Sequence, residues 1–556
     1  MKKSDAASVH PLIPELRELL RQGRMDRREF LRTASLLGLS AGAAAAMIGA
    51  PPLAWPAAAQ TATASPKRGG NFRVSMNVKP VNDPATFDWG QMGNVARHVI
   101  EPLVRVDSAN RARPYLAESW QASTDLKTWT FKLRRDVKWS NGDAFGADDV
   151  VFNFNRWLDP RTGSSNMGRF SSMVTATDTG KKDDKGKPVI SRSMTPGAIE
   201  KIDDHTVRFH LNRPDLGLPE SMSDYPALIA HRGFADGGGN FAKNAVGTGP
   251  FALKEFAVGD KAVLVRRRDA TYWGGEVYLD QITYIDHGDD PAAMVAAFAS
   301  DQVDTNHQAS IEQIDALKSL PNVALLQTVT AQTGVARMKI TEKPFDNKLV
   351  RKALQASIDR ERVLELVYRG FGAAGEDHHV APIHPEYVAL PRLKQDHALA
   401  RKLLADAGHA NGIDLKIDCV TQPTWEQNAC KAMAEMCKPA GINLAINIMP
   451  GGTYWDRWLT TPFGFTNWTH RPLGVQVLNL AYRSGAPWNE TSFANAAFDA
   501  ALDEAGGEAD PEARRKQMAK LQAILQDEAV IVQPLWRSVF VAANKRVRDL
   551  YAQVAL

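Results

Sequence analysis

Apolar and polar positions along this chain alternate in two ways, which predict its regular elements. A period of two predicts strands, and apolar residues at every third or fourth position predict helices. The predicted strands lie over 71–76, 128–133, 206–211, 262–266 and 282–285. The predicted helices lie over 148–157, 291–299 and 348–358. This mixture of elements places the chain in the α/β class.

One stretch in the second half shows both periods in immediate succession. A strand over 415–420, a helix over 425–437 and a strand over 443–448 form a predicted β-α-β unit, and Gly441 ends the helix. Such a unit joins parallel strands. We therefore expect a parallel strand pair here.

Three shorter sequence patterns predict local structure. Val137-Lys138-Trp139 with the turn at Asn141-Gly142 is typical of a hairpin-like unit, and Asp148-Asp149 are suited to cap the helix that follows. The stretch 175–192 is rich in Lys, Asp, Gly and Thr, which predicts a solvated loop.

The N-terminal region has the pattern of an export leader. Arg27-Arg28, followed by Phe30-Leu31, precedes an uncharged Ala- and Gly-rich stretch over 34–50, and small residues recur at 57–59. This resembles a twin-arginine signal peptide with a small-residue cleavage site. We expect a leader over 1–59, a tether over 60–68 and a mature periplasmic protein. An uncleaved anchor remains an alternative.

Composition excludes several other classes. The 556 residues carry a formal net charge of +4, with 67 basic and 63 acidic side chains interleaved, which gives no indication of nucleic-acid binding. About 500 residues beyond the leader exceed one hydrophobic core and predict two or three domains. No later apolar stretch has the length of a membrane span, and no cysteine before Cys419 offers a lipid-attachment point.

The three cysteines have no zinc-ligand spacing. Cys430 and Cys437 share one face of the predicted helix, about 10 Å apart along its axis, which is too far for a disulfide between them. Cys419 on the preceding strand has the alternatives of pairing with one of them or remaining a buried thiol.

Four segments, in order along the chain, resemble the extracytoplasmic solute-binding proteins of the peptide/opine/nickel group. They are 130–150 with Lys138-Trp139-Ser140-Asn141-Gly142-Asp143; Gly247-Thr248-Gly249-Pro250-Phe251 with Tyr272-Trp273; 345–354 with Asp359-Arg360; and Phe498-Asp499, Asp510-Pro511 and 521–535 ending in Gln533-Pro534-Leu535. Together they extend over nearly the whole mature chain.

The resemblance implies a two-lobed periplasmic binding protein fold in which a hinge of two crossover segments, near 325–330 and 515–525, closes the lobes on a ligand. The implied divisions are lobe I over 69–115, 195–325 and 520–556, a small subdomain over 116–194, and lobe II over 326–519. The implied function is capture of a peptide or an opine-like solute for the membrane permease of an ATP-binding-cassette importer. We expect a monomer that is not an enzyme.

The resemblance also points to one position with an altered charge. Peptide-binding members hold the ligand's ammonium with an aspartate three residues after a tryptophan. Here Trp468 stands at the tryptophan position and Arg471 at that of the aspartate, with His470 between them. A guanidinium suits carboxylate or phosphate, so we expect an anionic group on the ligand. A surface arginine, or one satisfied by a neighbouring acid, is the alternative.

Further residues are candidates for ligand contact. Trp455, Tyr482 and Trp488 are suited to an aromatic cleft. For any single one core packing is the favoured explanation, whereas we expect two or three of the aromatic residues in this region to face the ligand. Asn489 is a candidate polar contact, as is Asn94, a predicted cap just before a helix over 95–104.

Other functions have less support in the sequence. Glu376-Asp377-His378-His379 with His384 is unsuited to a metal site, because adjacent side chains in an extended chain point to opposite sides. No nucleophile elbow or phosphate loop is present, so neither a catalytic residue nor a cofactor is predicted. A secreted hydrolase and a metal or haem carrier remain the alternatives.

Overall fold

The computed structural model describes residues 9–49, 67–107, 111–182, 188–269, 272–288, 290–548 and 550. The chain divides into two compact units. The first comprises Met1–Gly288, Gln302–Asp304 and Gly506–Ala513, and the second comprises Asp289–Asp301, Thr305–Ala505 and Arg514–Leu556. The predicted cleavage site at 57–59 lies outside the described residues.

The first unit contains short helices and a larger number of strands. Its helices are α1 (Leu12–Arg21), α2 (Arg27–Leu36), α3 (Ala41–Met47), α4 (Gly90–Ala96), α5 (Ala147–Trp157), α6 (Asn166–Arg169) and α7 (Leu218–Ser221). Its strands are β1 (Asn71–Ser75), β2 (Val104–Val106), β3 (Ala112–Pro114), β4 (Ala117–Ala122), β5 (Thr128–Leu133), β6 (Val174–Lys182), β7 (Pro188–Met194), β8 (Ile199–Asp203), β9 (Thr206–His210), β10 (Phe251–Ala257), β11 (Lys261–Arg266) and β12 (Gln281–Ile285).

These strands form several sheets. The strands β10-β11-β12-β1 are neighbours in that order, with β1 parallel to β12, and a four-stranded sheet has the antiparallel order β4-β5-β9-β8. The pairs β2-β3 and β6-β7 complete the set. Aromatic side chains fill the core beside the antiparallel sheet, where Phe154 of α5 packs 4.7 Å from Phe209 between ring centroids.

The second unit holds the longest elements. Its helices are α8 (Pro291–Ala299), α9 (Ile314–Ser319), α10 (Lys348–Ala356), α11 (Arg360–Tyr368), α12 (His397–Asp406), α13 (Thr424–Cys437), α14 (Gly451–Arg457), α15 (Gly474–Ala481), α16 (Ala496–Gly507) and α17 (Pro511–Glu528). Its strands are β13 (Thr305–Asn306), β14 (Val323–Met338), β15 (Gly372–Ala374), β16 (Ile413–Val420), β17 (Ile442–Met449), β18 (Phe463–Trp468) and β19 (Ile531–Asn544). The first residues of α17 and the last of α16 are grouped with the first unit.

In the second unit the strands are neighbours in the order β13-β19-β14-β18-β16-β17, with β15 on β19. The predicted β-α-β unit is confirmed: β16 and β17 are parallel and α13 joins them. Gly441 follows α13 in the left-handed region at φ 81°, where glycine carries no side-chain penalty. The antiparallel pair β14-β19 runs through the middle of this sheet.

Two predictions of local structure are corrected. Within the stretch 175–192, predicted as a solvated loop, residues 175–182 belong to β6 and residues 188–192 belong to β7, which pair in an antiparallel arrangement. Most side chains of β6 are exposed, so its sequence lacks the alternation of apolar and polar residues that predicts a strand. Helix α5 begins one residue before Asp148, with Gly146 as N-cap, and Asp149 is the third helical residue, accepting from the backbone N–H of Gly146 at 3.0 Å.

The three cysteines are buried free thiols. Cys419 of β16 lies beside Cys430 of α13 as a hydrogen-bond partner, and burial raises the pKa of Cys437 to about 12. All three thiols have low accessibility, and burial also raises the pKa of Cys430, so Cys430 and Cys437 are poor nucleophiles.

The lobe boundaries expected from the sequence remain a proposal. Residues 116–194 belong to the first unit, and 514–556 belong to the second. The expected crossover at 325–330 lies within β14, and that at 515–525 lies within α17. Within the described ranges, no helix combines the length and apolarity that a membrane crossing requires.

Candidate functional site

The candidate site surrounds the carboxyl end of β18 in the second unit. Trp468, the last residue of that strand, is paired with Thr333 of β14. The chain then leaves the sheet through residues 469–473, here called the Arg471 loop, and enters α15. Because side chains alternate along a strand, Trp468 and Thr466 face one side of the sheet, and Asn467 and Phe465 face the other.

Trp468 is fixed by a buried ion pair. Its indole Nε1 donates to Oε1 of Glu490 at 2.9 Å, while Oε2 of Glu490 accepts from Thr466 at 2.7 Å and from Nε of Arg337 at 3.1 Å. Burial raises the pKa of Glu490, although Arg337 and the two hydrogen bonds oppose that shift. Both charged partners are almost completely inaccessible, so each compensates the other's desolvation.

A histidine packs against the same indole. The ring of His379 lies 5.3 Å from that of Trp468 in an edge-on arrangement, and its Nδ1 is 3.0 Å from the hydroxyl of Tyr482. Burial, followed by the charges of His384, His378 and Arg471, lowers the pKa of His379 well below its ordinary value. The imidazole is therefore neutral at pH 7. Its Nε2 has no hydrogen-bond partner among the described residues.

The Arg471 loop places two predicted residues in buried positions. Nδ1 of His470 accepts from the backbone N–H of Ala331 at 3.1 Å. Arg471 is only 5% exposed, which excludes the surface alternative, and two of its hydrogen bonds go from Nη1 to Oγ1 of Thr469 at 2.6 Å and to the carbonyl of His470 at 2.9 Å. Its own carbonyl oxygen lies 2.9 Å from Nε2 of His384. The loop is thus held in place by contacts on both sides.

The other face of β18 carries a polar group that sequence reasoning missed. Glu426, in the first turn of α13, is 1% exposed, and its Oε2 has no hydrogen-bond partner within the described part of the chain. Burial raises the pKa of Glu426 well above its ordinary value, and the charge of Arg537 only partly opposes that shift. A buried carboxyl without a partner is costly, and such groups are concentrated at functional sites.

Arg537 and Trp425 lie beside Glu426. The guanidinium of Arg537 stands 5.4 Å from the centre of the Trp425 ring, donates to the Tyr368 hydroxyl at 3.2 Å and also donates to Gln332. The Trp425 ring in turn packs 5.8 Å from Phe465. The Nε1 atom of Trp425 and the Oδ1 atom of Asn467 are buried without a hydrogen-bond partner in the described ranges. These atoms are unused donors and acceptors on one face of the sheet.

The predicted aromatic residues form a connected series. Trp488 contacts Trp468 and Trp458 edge-on, at 6.0 and 6.3 Å between ring centroids. Trp455 lies 5.7 Å from Trp458. Tyr482 continues the series through His379 and is fully buried, as a core residue is. The structure therefore brings four of the predicted residues, Trp455, Trp468, Tyr482 and Trp488, into one aromatic cluster.

The two asparagines predicted as ligand contacts, Asn489 and Asn94, make contacts within the fold. Nδ2 of Asn489 donates to the carbonyls of Arg483 and Phe493, and its Oδ1 accepts from Thr491, so its amide group holds a turn together. Asn94 belongs to the first unit, and the prediction that it caps a following helix is wrong. Helix α4 begins at Gly90 with Trp89 as N-cap, so Asn94 lies inside the helix, with Nδ2 3.8 Å from the sulfur of Met76.

The His-rich segment has an internal explanation. Nε2 of His378 lies 3.0 Å from Oε2 of Glu376, and Asp377 pairs with Arg360 while accepting from the backbone N–H of Gln533 at 2.7 Å. Burial raises the pKa of Asp377, and Arg360 opposes that shift. Among the residues with described coordinates, no group of three or more His, Cys, Asp or Glu side chains is arranged around a common metal position.

Comparisons with known proteins agree with this architecture. A family model described as bacterial extracellular solute-binding proteins, family 5 Middle, matches residues 111–489. The periplasmic oligopeptide-binding protein OppA of Haemophilus influenzae is 27% identical over 477 residues, 81% of this chain and 85% of that protein. Heme-binding protein A of the same organism is 28% identical over 468 residues, 78% of this chain and 81% of that protein.

A solved structure shows the fold. The PBP AgaA of A. tumefaciens R10, in complex with agropinic acid, matches with a TM-score of 0.75 at 20% identity and covers 87% of this chain and 95% of that one. The predicted α/β fold of periplasmic binding proteins is thereby confirmed.

Proposed function

The chain belongs to the bacterial extracellular solute-binding proteins of family 5, and from that premise we propose that it captures a peptide or an opine-like solute carrying an anionic group. The captured solute is delivered to the membrane permease of an ATP-binding-cassette importer. The protein acts as a monomer that binds its cargo without transforming it.

The observation that carries the anionic ligand is the burial of Arg471 at the end of β18. A guanidinium is always charged at physiological pH, and its planar donors match a carboxylate in a bidentate arrangement. The adjoining Trp468 is held by Glu490, and the loop is fixed through His470 and His384. A preorganised donor loses little conformational entropy when a ligand binds.

Glu426 supports a second requirement on the ligand. Its buried Oε2 accepts no hydrogen bond from the described residues, so a ligand donor such as an ammonium or amide N–H would satisfy it. A solute with an acidic group for Arg471 and a donor for Glu426 is zwitterionic or amide-rich. Peptides and opines both meet that description, and oligopeptide-binding OppA of H. influenzae is among the relatives.

A haem cargo is the second candidate, because one relative of similar identity is named a heme-binding protein. Haem carries two carboxylates that suit an arginine, and a wide planar ring that suits the aromatic series Trp455–Trp488. It offers Glu426 no primary ammonium. The two cargoes therefore differ in whether Glu426 contributes to binding.

We also propose export by the twin-arginine route, with removal of a leader near residue 59. Support comes from the paired Arg27 and Arg28, both exposed at the start of α2. An exported solute-binding protein of this family acts on the outer side of the membrane that holds its permease.

Native mass spectrometry of protein purified from its own periplasm tests the proposed ligand. We expect an added mass that is released on denaturation and identified as a peptide or opine-like acid. Titration of the emptied protein with that compound, with haem and with a neutral amide of the same compound then separates the candidates. Preference for the neutral amide would refute the anionic ligand, and tight haem binding would replace the peptide. Turnover of the compound would support the hydrolase alternative.

A further inference from the structure

Residues 9–49, which contain the proposed export signal, are folded onto the first unit. Helix α1 buries Ile13, Leu16 and Leu19 on one face, as its spacing of three residues predicts for an amphipathic helix. Helix α2 buries Phe30 completely and packs against α1, α3 and strand β3. We call this region the leader segment. Its apolar side chains belong to the same hydrophobic core as the first unit's own residues.

Directional contacts fix the position of the leader segment. The indole Nε1 of Trp120 in β4 donates to the carbonyl of Leu36 at 2.8 Å. Gly38 follows at φ 87°, and a Cβ there would lie 2.1 Å from the carbonyl oxygen of Trp120, so only glycine fits. His10 lies 3.2 Å from the carbonyl of Ser123 through Nε2.

A buried ion pair joins the leader segment to α7. Nε of Arg32 donates to Oε1 of Glu220 at 3.2 Å and Nη2 donates to Oε2 at 3.3 Å. The two side chains are 4% and 0% exposed. A desolvated pair of this kind fixes one relative position, because removal of either partner leaves the other charge buried without compensation.

Unlike the buried Arg32, the paired arginines lie at the surface. Arg27 and Arg28 are exposed, while the N-cap Asp26 accepts from the backbone N–H of Glu29 at 2.8 Å and sets the start of α2. Arg24, just before, bonds to Asp510 at 3.0 Å and to Glu512 at 2.9 Å at the surface of the same unit. The segment is thus attached on both sides of an arginine pair that remains accessible.

We propose that the surface of the first unit formed by Trp120, Ser123, Glu220, Asp510 and Glu512 is a docking site for the chain's own leader segment. The docked segment holds Arg27 and Arg28 exposed in an ordered helix. Because Trp120 and Glu220 are brought together only by the folded first unit, the arginine pair is presented in this form only after folding. The docking is independent of the proposed ligand, and its role in export rests on the proposed twin-arginine route.

Hydrogen exchange of the full-length precursor, purified with export blocked, tests the docking. We expect the amides of α2 to be protected, and Arg32→Glu or Glu220→Arg to speed their exchange by at least about tenfold. The double variant, which reverses the pair, is expected to restore most of that protection. Gly38→Val should release the segment without altering any charge. Arg17→Glu, an equal change of charge on the exposed face of α1, is the matched control and should leave exchange unchanged.

Peptides from β5 and β9 serve as the folding reference, and they should remain protected in every variant. Fast exchange of α2 in the unaltered precursor, or unchanged exchange in Arg32→Glu, Glu220→Arg and Gly38→Val alike, would overturn the docking site. For export, Glu220→Arg is the informative variant, since Glu220 lies outside the leader segment. A several-fold loss of periplasmic protein, recovered when Arg32→Glu is added, supports folding-dependent presentation. Normal export of a precursor with an undocked leader would overturn that role.

Discussion

Trp468 donates its indole N–H to Glu490 at 2.9 Å, and this bond links the aromatic cluster to the buried charge of Arg337. The strand that carries Trp468 leads directly into the Arg471 loop. An almost completely buried ion pair therefore fixes the strand residue from which the loop of the proposed ligand-binding arginine begins. The stability of the second unit and the position of the proposed anion site therefore depend on the same buried contacts.

The first prediction concerns that ion pair. Glu490→Gln leaves Arg337 buried without a counter-charge, so we expect the free energy of unfolding to fall by about 3–5 kcal/mol. Denaturant unfolding followed by tryptophan fluorescence measures the change. Glu435→Gln removes an exposed carboxylate paired with Lys438 at 2.6 Å, and it should change stability by less than about 1 kcal/mol. Equal effects of the two variants would contradict the assigned role of Glu490.

Glu426 predicts a dependence of stability on pH. Its folded pKa is raised above the ordinary value of 4.5, so the native state retains a proton that the unfolded chain releases. The stability from this group is complete below about pH 4.5 and is lost as the pH rises through the folded pKa. Glu426→Gln removes this loss of stability, because an amide does not ionise.

The variant should therefore gain stability relative to the unaltered protein as the pH increases from 4 to 7. Parallel denaturant titrations across that interval measure the difference. A difference that shrinks with rising pH would show that Glu426 is stabilised as an anion. We also expect Glu426→Gln to weaken binding of a ligand with an ammonium group, because a bound ammonium would stabilise the ionised carboxylate and an amide cannot ionise.

Export provides a third prediction. Changing Arg27 and Arg28 together to Lys should leave the precursor in the cytoplasm, while the charge and the surface of α2 are retained. Fractionation and immunoblotting measure the distribution. The matched control is Arg21→Lys, a conservative change at an exposed arginine outside the pair. Mature protein at its normal periplasmic level in the double variant would refute the twin-arginine assignment.

Ligand binding must also stabilise the fold. A ligand that binds only the native state, present at a hundredfold excess over its dissociation constant, raises the free energy of unfolding by about 2.7 kcal/mol. Thermal melts with and without the ligand identified by mass spectrometry measure this shift. An unchanged melting temperature under proven saturation would mean that the compound is not a specific ligand.

The sequence predicts the second unit's β-α-β region well because apolar and polar residues alternate over 413–418 in β16 and the buried residues of α13 recur at helical spacing. The β6-β7 pair is missed because its side chains are mostly exposed and are held by cross-strand contacts such as Thr175 to Thr195 at 2.7 Å. The docking of residues 9–49 is also missed. Their Ala-rich composition is equally typical of an export leader, and the ion pair with Glu220 joins positions 188 residues apart.

Part of the candidate site could likewise be predicted from the sequence, and part could not. Trp468, His470 and Arg471 could be named because they stand within a recognisable segment. Glu426 could not, because its surroundings depend on burial by strands distant in sequence, and one acid in the first turn of a helix is ordinary.

The most direct test of the central claim is calorimetric titration of Arg471 variants with the natural ligand. Loss of a charge-assisted hydrogen bond to a buried anion costs about 1.5–3 kcal/mol, so Arg471→Ala should weaken binding by at least about tenfold. Arg471→Lys should recover only part of the affinity, and Arg471→Asp should bind worst. Arg483→Ala, which removes an arginine paired with Asp503, is the control and should bind normally. Binding of the ligand by well-folded Arg471→Ala within about twofold of the unaltered protein would contradict the proposed anion site.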